Sequence, residues 1–391
     1  MPFLPILIHK IKTWFIQADW VERNNILLMI VLCMSLYLTP VAVLVIILPY
    51  MKRIKLYDLR SLGSDLAFPY FFLAVNALVT SLYSWNALSI GATLAVVIPF
   101  YIYGVYAETQ LSPKSCILML KLLVFLSLPV GLYAIIQKLF IHLVEGRVTS
   151  TFVNANLYAF YLMIVLLIAF GFFLETSSKK EKWGYAGISL INMAALLLTG
   201  SRTVLVALAI AFLFLLLLSN RYQLALVLLG LCGVFLYSVT INPGLIPRYT
   251  VLDANISTRE QLWNIAWDAI RTNPLIGRGL LSYKFYALQY NVTRVHAHNM
   301  LLNVWVEWGI AGVVLLAWSY FIVFKRGILG LKYSPYRKQI AIILSCIVGA
   351  FIYGIVDNPI INVQTGLLFT LLCSMILVFA RKTPDQPIQE K

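Results

Sequence analysis

The sequence predicts an all-α, polytopic membrane protein of about 11–12 spanning helices, with one long extracytoplasmic loop that contains an amphipathic helix. Three observations predict it. Of 391 residues, 61% are hydrophobic and 12% charged, against roughly 45–50% apolar and about 25% charged in soluble domains. The apolar residues form continuous runs long enough to cross ~30 Å of hydrocarbon as helices, without the alternation of a β-barrel. Basic residues gather in every second connection, the pattern of cytoplasmic loops. Residues 1–391 read as a single integral membrane domain without internal repeats. The excess of 15 positive charges reflects that topology in part and is not read as a nucleic-acid surface. The five cysteines (Cys33, Cys116, Cys232, Cys346 and Cys373) lie in apolar runs and read as small buried hydrophobes.

Residues 1–24 mix apolar and basic side chains with Trp14 and Trp20, as in an interfacial segment on the cytoplasmic face. Ile26–Tyr50 is apolar around Pro40 and forms either one kinked span or a tight pair of short helices. Ten spans follow, near Asp65–Tyr83, Ala87–Tyr106, Cys116–Leu139, Asn156–Leu174, Trp183–Thr199, Thr203–Ser219, Gln223–Thr240, Asn299–Phe324, Gln339–Val356 and Ile360–Ala380. Lys52, Arg53, Lys55 and Arg60, then Lys114, then Lys179, Lys180 and Lys182, then Arg221, then the run from Lys325 to Lys338 occupy alternate connections. Their charge assigns these to the cytoplasm. The other set then faces outward: Ser84–Asn86, Phe140–Ala155, Gly200–Arg202, the long segment 241–298 and Asp357–Pro359.

Loops held by a rigid scaffold carry function, so the long segment is the first place to look for chemistry. It holds Arg248, Arg259, Arg271, Arg278 and Arg294 with His296 and His298. Arg147 and Arg202 join them on a face that should be poor in cations. Arginine is the residue of bidentate phosphate recognition, so this exception has the composition of a phosphate or diphosphate site. Arg202 sits in the tight turn Thr199-Gly200-Ser201-Arg202-Thr203, close to hydrocarbon, where a charge is costly. Ser257-Thr258-Arg259-Glu260 reads as a capping box opening an amphipathic helix over Ser257–Arg271 on the membrane, with Arg259 in its first turn. Gly277-Arg278-Gly279 follows as a flexible turn. His296 and His298 precede the next span, and a histidine at that boundary suits general-base work. The outward carboxylates (Glu145, Asp253, Glu260, Asp268 and Asp357) are scattered along the sequence, so no metal site is expected. Glu307, two to three turns into the span, is an expensive acid there and a candidate for orienting a histidine or arginine.

Three elements in this order carry a resemblance: Leu198-Thr199-Gly200-Ser201-Arg202; Arg259 and Trp263 with Asn273-Pro274-Leu275-Ile276-Gly277-Arg278-Gly279; and His298-Asn299-Met300-Leu301-Leu302 with Glu307-Trp308-Gly309-Ile310-Ala311-Gly312. Arg147 with Thr151-Phe152-Val153-Asn154-Ala155-Asn156 adds a fourth. Together they resemble the O-antigen ligase and O-antigen polymerase superfamily of integral membrane glycosyltransferases, over about Arg147–Gly312. The resemblance implies transfer of a glycan from undecaprenyl diphosphate to an acceptor hydroxyl, on a lipid or glycan, with inversion and without metal or other cofactor. It implies that the enzyme sits in the cytoplasmic (inner) membrane with its site on the outer side. Arg202 and Arg259 would hold the diphosphate and His298 would activate the acceptor, with Arg147, Arg278, His296 and Glu307 as further candidates. A polymerase joining lipid-linked repeat units would use the same leaving group. A transporter is the competing class, and it would set charges along a path through the bilayer.

Overall fold

The computed structural model describes residues 20–34, 38–51, 62–141, 146–242, 244, 252–360 and 362–381. Most of the expected interfacial segment (1–19), the basic connection 52–61 and Arg248 lie outside them. Fourteen helices can be followed among the described residues: α1 Trp20–Met34, α2 Leu38–Met51, α3 Ala67–Tyr83, α4 Ala87–Gln110, α5 Pro113–Phe140, α6 Ala155–Glu175, α7 Lys179–Thr199, α8 Arg202–Leu218, α9 Tyr222–Ile241, α10 Leu252–Thr272, α11 Ser282–Leu288, α12 Met300–Tyr333, α13 Arg337–Gly354 and α14 Val363–Ala380. Seven of these (α4, α5, α6, α9, α12, α13 and α14) are long and apolar enough to cross a membrane, and α2, α3 and α8 are shorter apolar helices. The chain is thus an all-α polytopic membrane protein, and no strand occurs among the described residues.

Helices occupy all ten stretches expected to span after Ile26–Tyr50, although α7 is not among those apolar enough to cross, and Ile26–Tyr50 resolves into the pair α1 and α2, packed on each other. Where boundaries differ, hydropathy ends before the helix does. Helix α12 runs on past Lys325 and Arg326 to Tyr333, because straight-chain basic residues leave hydrocarbon without leaving the helix. Helix α7 starts at Lys179 because Ser178 caps it, its Oγ accepting the Glu181 N–H. Burial separates the centre from the rim. Within their most apolar windows, α6 and α14 are 83% buried and α9 only 6%. Helices apolar all round, like α6 and α14, belong in an interior, and α9 presents its leucines outward.

The two sets of connections collect at opposite ends of the bundle. At one end Arg326 pairs with Asp65 at 2.6 Å, and Glu175 accepts from Gln339 at 2.9 Å. At the other end segments 147–156, 199–202, 252–299 and 357–358 meet. This second end contains a break in α12 that sequence periodicity does not reveal. Gly309 has φ 67° and ψ −174°, a region essentially reserved for glycine. The freed backbone is satisfied by the loop 273–279. Ile310 N–H donates to the Pro274 carbonyl at 3.0 Å, Arg278 N–H to Val306 at 2.9 Å and Gly279 N–H to Glu307 at 2.8 Å. The indole of Trp305 donates to Pro274 at 3.0 Å and Asn76 to the Trp308 carbonyl at 3.1 Å. In hydrocarbon such groups need protein partners, so loop and broken helix stabilise each other. A Cβ on Gly309 would overlap the Leu275 carbonyl, and one on Gly277 would overlap the Gly309 amide. Gly309→Ala is expected to cost on the order of 3 kcal/mol, read as a lower melting temperature and earlier cleavage of the 273–279 loop by protease.

Candidate active site

The site begins with helix caps. Asn299 accepts the Leu302 N–H at 3.0 Å, starting α12, and donates through Nδ2 to the Ile355 carbonyl at 2.9 Å. One side chain therefore fixes the turn 296–299 against the end of α13. Asn303 accepts the Ala297 N–H at 3.2 Å and the Trp263 indole approaches the His298 carbonyl at 3.4 Å. His298 is held at φ 49°, a left-handed conformation that a non-glycine residue keeps only when its surroundings impose it.

The turn delivers His298 to Asp357, which follows α13. His298 Nδ1 lies 3.1 Å from Asp357 Oδ1. The carboxylate is buried, 3% exposed, and fully subscribed. Oδ1 also receives the Asn358 N–H at 2.8 Å, and Oδ2 receives the Tyr353 hydroxyl at 2.7 Å and the Asn156 amide at 2.9 Å. Burial alone would raise its pKa. The hydrogen bond and charge of His298, the charge of His296 and the Tyr353 hydroxyl outweigh it and hold Asp357 below the usual carboxylate range. An ionised partner at Nδ1 keeps the imidazole proton there, which leaves Nε2 as the free basic nitrogen.

His296 is arranged differently. Its Nδ1 accepts the backbone N–H of His298 at 3.2 Å, and its Nε2 is 3.9 Å from Asp357 Oδ1. Burial, with the charges of His298 and Arg294, pushes its pKa down to about 4 against the opposing pull of Asp357. His296 is therefore neutral near pH 7 and its basic nitrogen is already engaged. An unfolded histidine binds its proton near pH ~6.5, so between that value and about 4 the unfolded chain binds more protons. Stability of this turn is complete above pH ~6.5 and falls as pH drops towards about 4. Hydrogen exchange at the Ala297 and His298 amides should accelerate across that window.

The arginines enter through the same network. Arg147 donates from Nη2 to Asn156 Oδ1 at 2.5 Å and from Nε to the Thr199 carbonyl at 2.7 Å. It thus ties the turn that opens α8 with Arg202 to the Asn156–Asp357 pair. Gln137 accepts the Thr149 and Ser150 amides at 2.9 Å each, which fixes the strap carrying Arg147. The charges of Arg259 and Arg147 both reach the Tyr353 hydroxyl. Arg202 is half-buried at the first position of α8.

Several expectations change. Helix α10 starts at Leu252, not Ser257, so the capping box does not open it and Arg259 lies about two turns inside it. The argument from an anion-binding first turn does not apply. Its apolar stripe (Leu262, Ile265, Ala266, Ala269 and Ile270) is covered by Tyr283 and Ala287 of α11 and by Leu302 and Val306 of α12, each large side chain contributing roughly 1.5–3 kcal/mol of burial. Glu307 orients neither a histidine nor an arginine among the described contacts. It accepts the Leu281 N–H at 3.0 Å and so braces the loop filling the α12 break. Arg278 stands apart, engaged with Thr272 and the Ala269 carbonyl and stacked 4.7 Å over Tyr286. Arg271 pairs with Asp268 at 3.3 Å on an exposed face.

Sequence reasoning missed Asp357, Asn156 and Tyr353 as partners of the histidines. The one available signal was an acid in a three-residue outer connection. His296, His298 and Asp357 do offer ligand atoms within 4.8 Å of one another, a carboxylate that the sequence did not bring to the histidines. Three other donors to that carboxylate, the Asn358 amide, the Tyr353 hydroxyl and the Asn156 side chain, compete for the lone pairs a cation would need.

The geometry places a buried carboxylate, an imidazole and arginines at one end of a helical bundle. Residues 187–317, from α7 into the first part of α12, match the family model described as O-antigen ligase. That stretch contains Arg202, Arg259 and His298, while the fold adds Arg147 and Asp357 from outside it. No curated protein matches the chain. Over residues 187–317 the chain is thus similar to the O-antigen ligase family, in support of the resemblance carried by its motifs.

Proposed function

We propose that the protein transfers a glycan from a polyprenyl (undecaprenyl) diphosphate to an acceptor hydroxyl at the outer face of the cytoplasmic membrane, without a metal and with inversion at the anomeric carbon. The observation that carries this reading is the His298–Asp357 contact at 3.1 Å, beside a hydrogen-bond network that includes Arg147 and within reach of the Arg259 charge. Asp357 orients His298 and stabilises its imidazolium, and Nε2 takes the proton from the acceptor hydroxyl as the oxygen attacks. The diphosphate leaves with two or more negative charges, and arginines already in place stabilise them without a cation. Arg202 and Arg259 are assigned to that anion, and Arg147 positions the turn that carries Arg202.

A ligase moves the finished glycan to a different acceptor, and a polymerase adds it to another lipid-linked unit. The leaving group is common to both, so the acceptor alone separates them. The transporter reading gains little from the α12 break, because protein backbone fills that break. The deciding experiment is reconstitution in proteoliposomes with a lipid-diphosphate glycan, followed by analysis of the carrier. Loss of glycan from the carrier to another acceptor identifies a ligase, and longer glycan on the carrier a polymerase. Unmodified donor carried across the bilayer would contradict the enzyme reading. Activity is expected to survive a strong chelator, and loss restored only by adding back a divalent ion would move His296, His298 and Asp357 into a metal site.

A further inference from the structure

A cavity of about 240 Å³ opens at the same end of the bundle. It lies between the α3–α4 turn and segment 273–289, and Gly277 and Arg278 form part of its wall. No carboxylate lines it. Phe285 and Tyr286 give it aromatic faces, and Phe285 is 40% exposed.

The polar groups in its wall can be accounted for one by one. Asn86 accepts the Leu88 and Ser89 amides through Oδ1 at 3.0 and 3.3 Å, which leaves its Nδ2 to donate. Asn273 donates its Nδ2 to the Gly277 carbonyl at 2.6 Å, which leaves its Oδ1 to accept. The Gln289 amide makes no hydrogen bond to the described residues and offers both. Ser282 Oγ is buried without a hydrogen-bond partner in a residue only 7% exposed, although a buried hydroxyl ordinarily finds one. The Arg278 guanidinium is held by Thr272, the Ala269 carbonyl and the Tyr286 ring, which occupy two of its five N–H groups.

This mixture selects a class of ligand. A phosphate accepts only, and the free oxygens of Asn273 and Gln289 would repel it. Sugar hydroxyls both donate and accept, and they match amides and a serine hydroxyl. The C–H face of a pyranose ring packs on an aromatic face. We infer that the pocket formed by Asn86, Asn273, Ser282, Phe285, Tyr286 and Gln289 is a glycan subsite that holds one sugar ring of the substrate away from the bond being made. The inference rests on the proposed glycan transfer and adds where an outlying sugar is read. It also gives Arg278 a role in building this wall rather than in holding the diphosphate.

The test uses the full chain and lipid-linked glycan extracted from the source cells, as isolated and trimmed enzymatically to a single sugar. Gln289→Ala combined with Phe285→Ala changes two exposed side chains, and a melting curve checks the fold. The expected result is a KM about tenfold higher for the long donor or for the acceptor, with kcat within twofold, and a donor effect is absent when the trimmed donor is used. A KM rise in the donor series assigns the subsite to the donor glycan, and one in the acceptor series to the acceptor. Unchanged KM values in both series overturn the inference, as does a donor KM rise that persists equally with the trimmed donor. Protection of the pocket by inorganic diphosphate would overturn it in favour of an anion site. If the wild type transfers neither donor, the transfer reading itself has failed. Saturation-transfer NMR with the free glycan then remains decisive: signal with wild type but not with the double variant supports the subsite, and any other pattern removes it.

Discussion

Replacing His298 with alanine is expected to lower the rate of glycan transfer by about 10²- to 10⁴-fold, the usual worth of a positioned general base, while the protein still inserts and melts normally. The ring is half-buried, bonded to one carboxylate and beside the His296 ring, so its loss removes chemistry more than packing. Asp357→Asn should give a loss of similar order, for a different reason. Asparagine keeps the shape but presents an amide where an ionised oxygen held the Nδ1 proton, so the wrong imidazole nitrogen faces the acceptor. Because both changes disable one unit, the double variant should be no worse than the poorer single variant. Additive losses would mean that the two residues act separately. His296→Gln should leave most activity, since its Nδ1 serves a backbone amide; a loss equal to that of His298→Ala would transfer the base role to it.

The second large effect is expected at the arginines. Arg259→Ala and Arg202→Ala should each reduce kcat by about 10²- to 10³-fold, the range seen when one preorganised donor to a developing oxyanion is removed. Lysine should rescue poorly, because it replaces a planar fork by a point charge. The measurement is single-turnover release of polyprenyl diphosphate. A rate near wild type for either variant would detach that arginine from the leaving group. Arg278→Ala should behave otherwise, weakening the 273–289 wall more than the chemical step.

Much of this was legible in the sequence, because hydrocarbon imposes simple rules. The apolar helices between α3 and α14 follow from run length, and the two ends of the bundle follow from which connections hold lysine. The collected arginines and the histidine pair were also visible, since they stand out against an apolar chain. What escaped were facts of three-dimensional closure. Asp357 lies 59 residues beyond His298, and no local pattern announces that Asn299 will tie the two turns together. The break in α12 escaped because Gly309 sits in an otherwise regular apolar run, and only the arrival of Pro274–Gly279 makes the broken conformation stable. The start of α10 escaped because Ser257 and Glu260 have capping-box spacing while the preceding residues also continue the helix.

The most direct test of the central claim, an imidazole–carboxylate base acting beside guanidinium groups, is the pH profile of single-turnover transfer in proteoliposomes, in chelator, for wild type and Asp357→Asn. The account predicts full wild-type activity without metal and an Asp357→Asn rate depressed about 10²- to 10⁴-fold at every pH, because the imidazole has lost the anion that orients it. Wild-type rates in Asp357→Asn would contradict it.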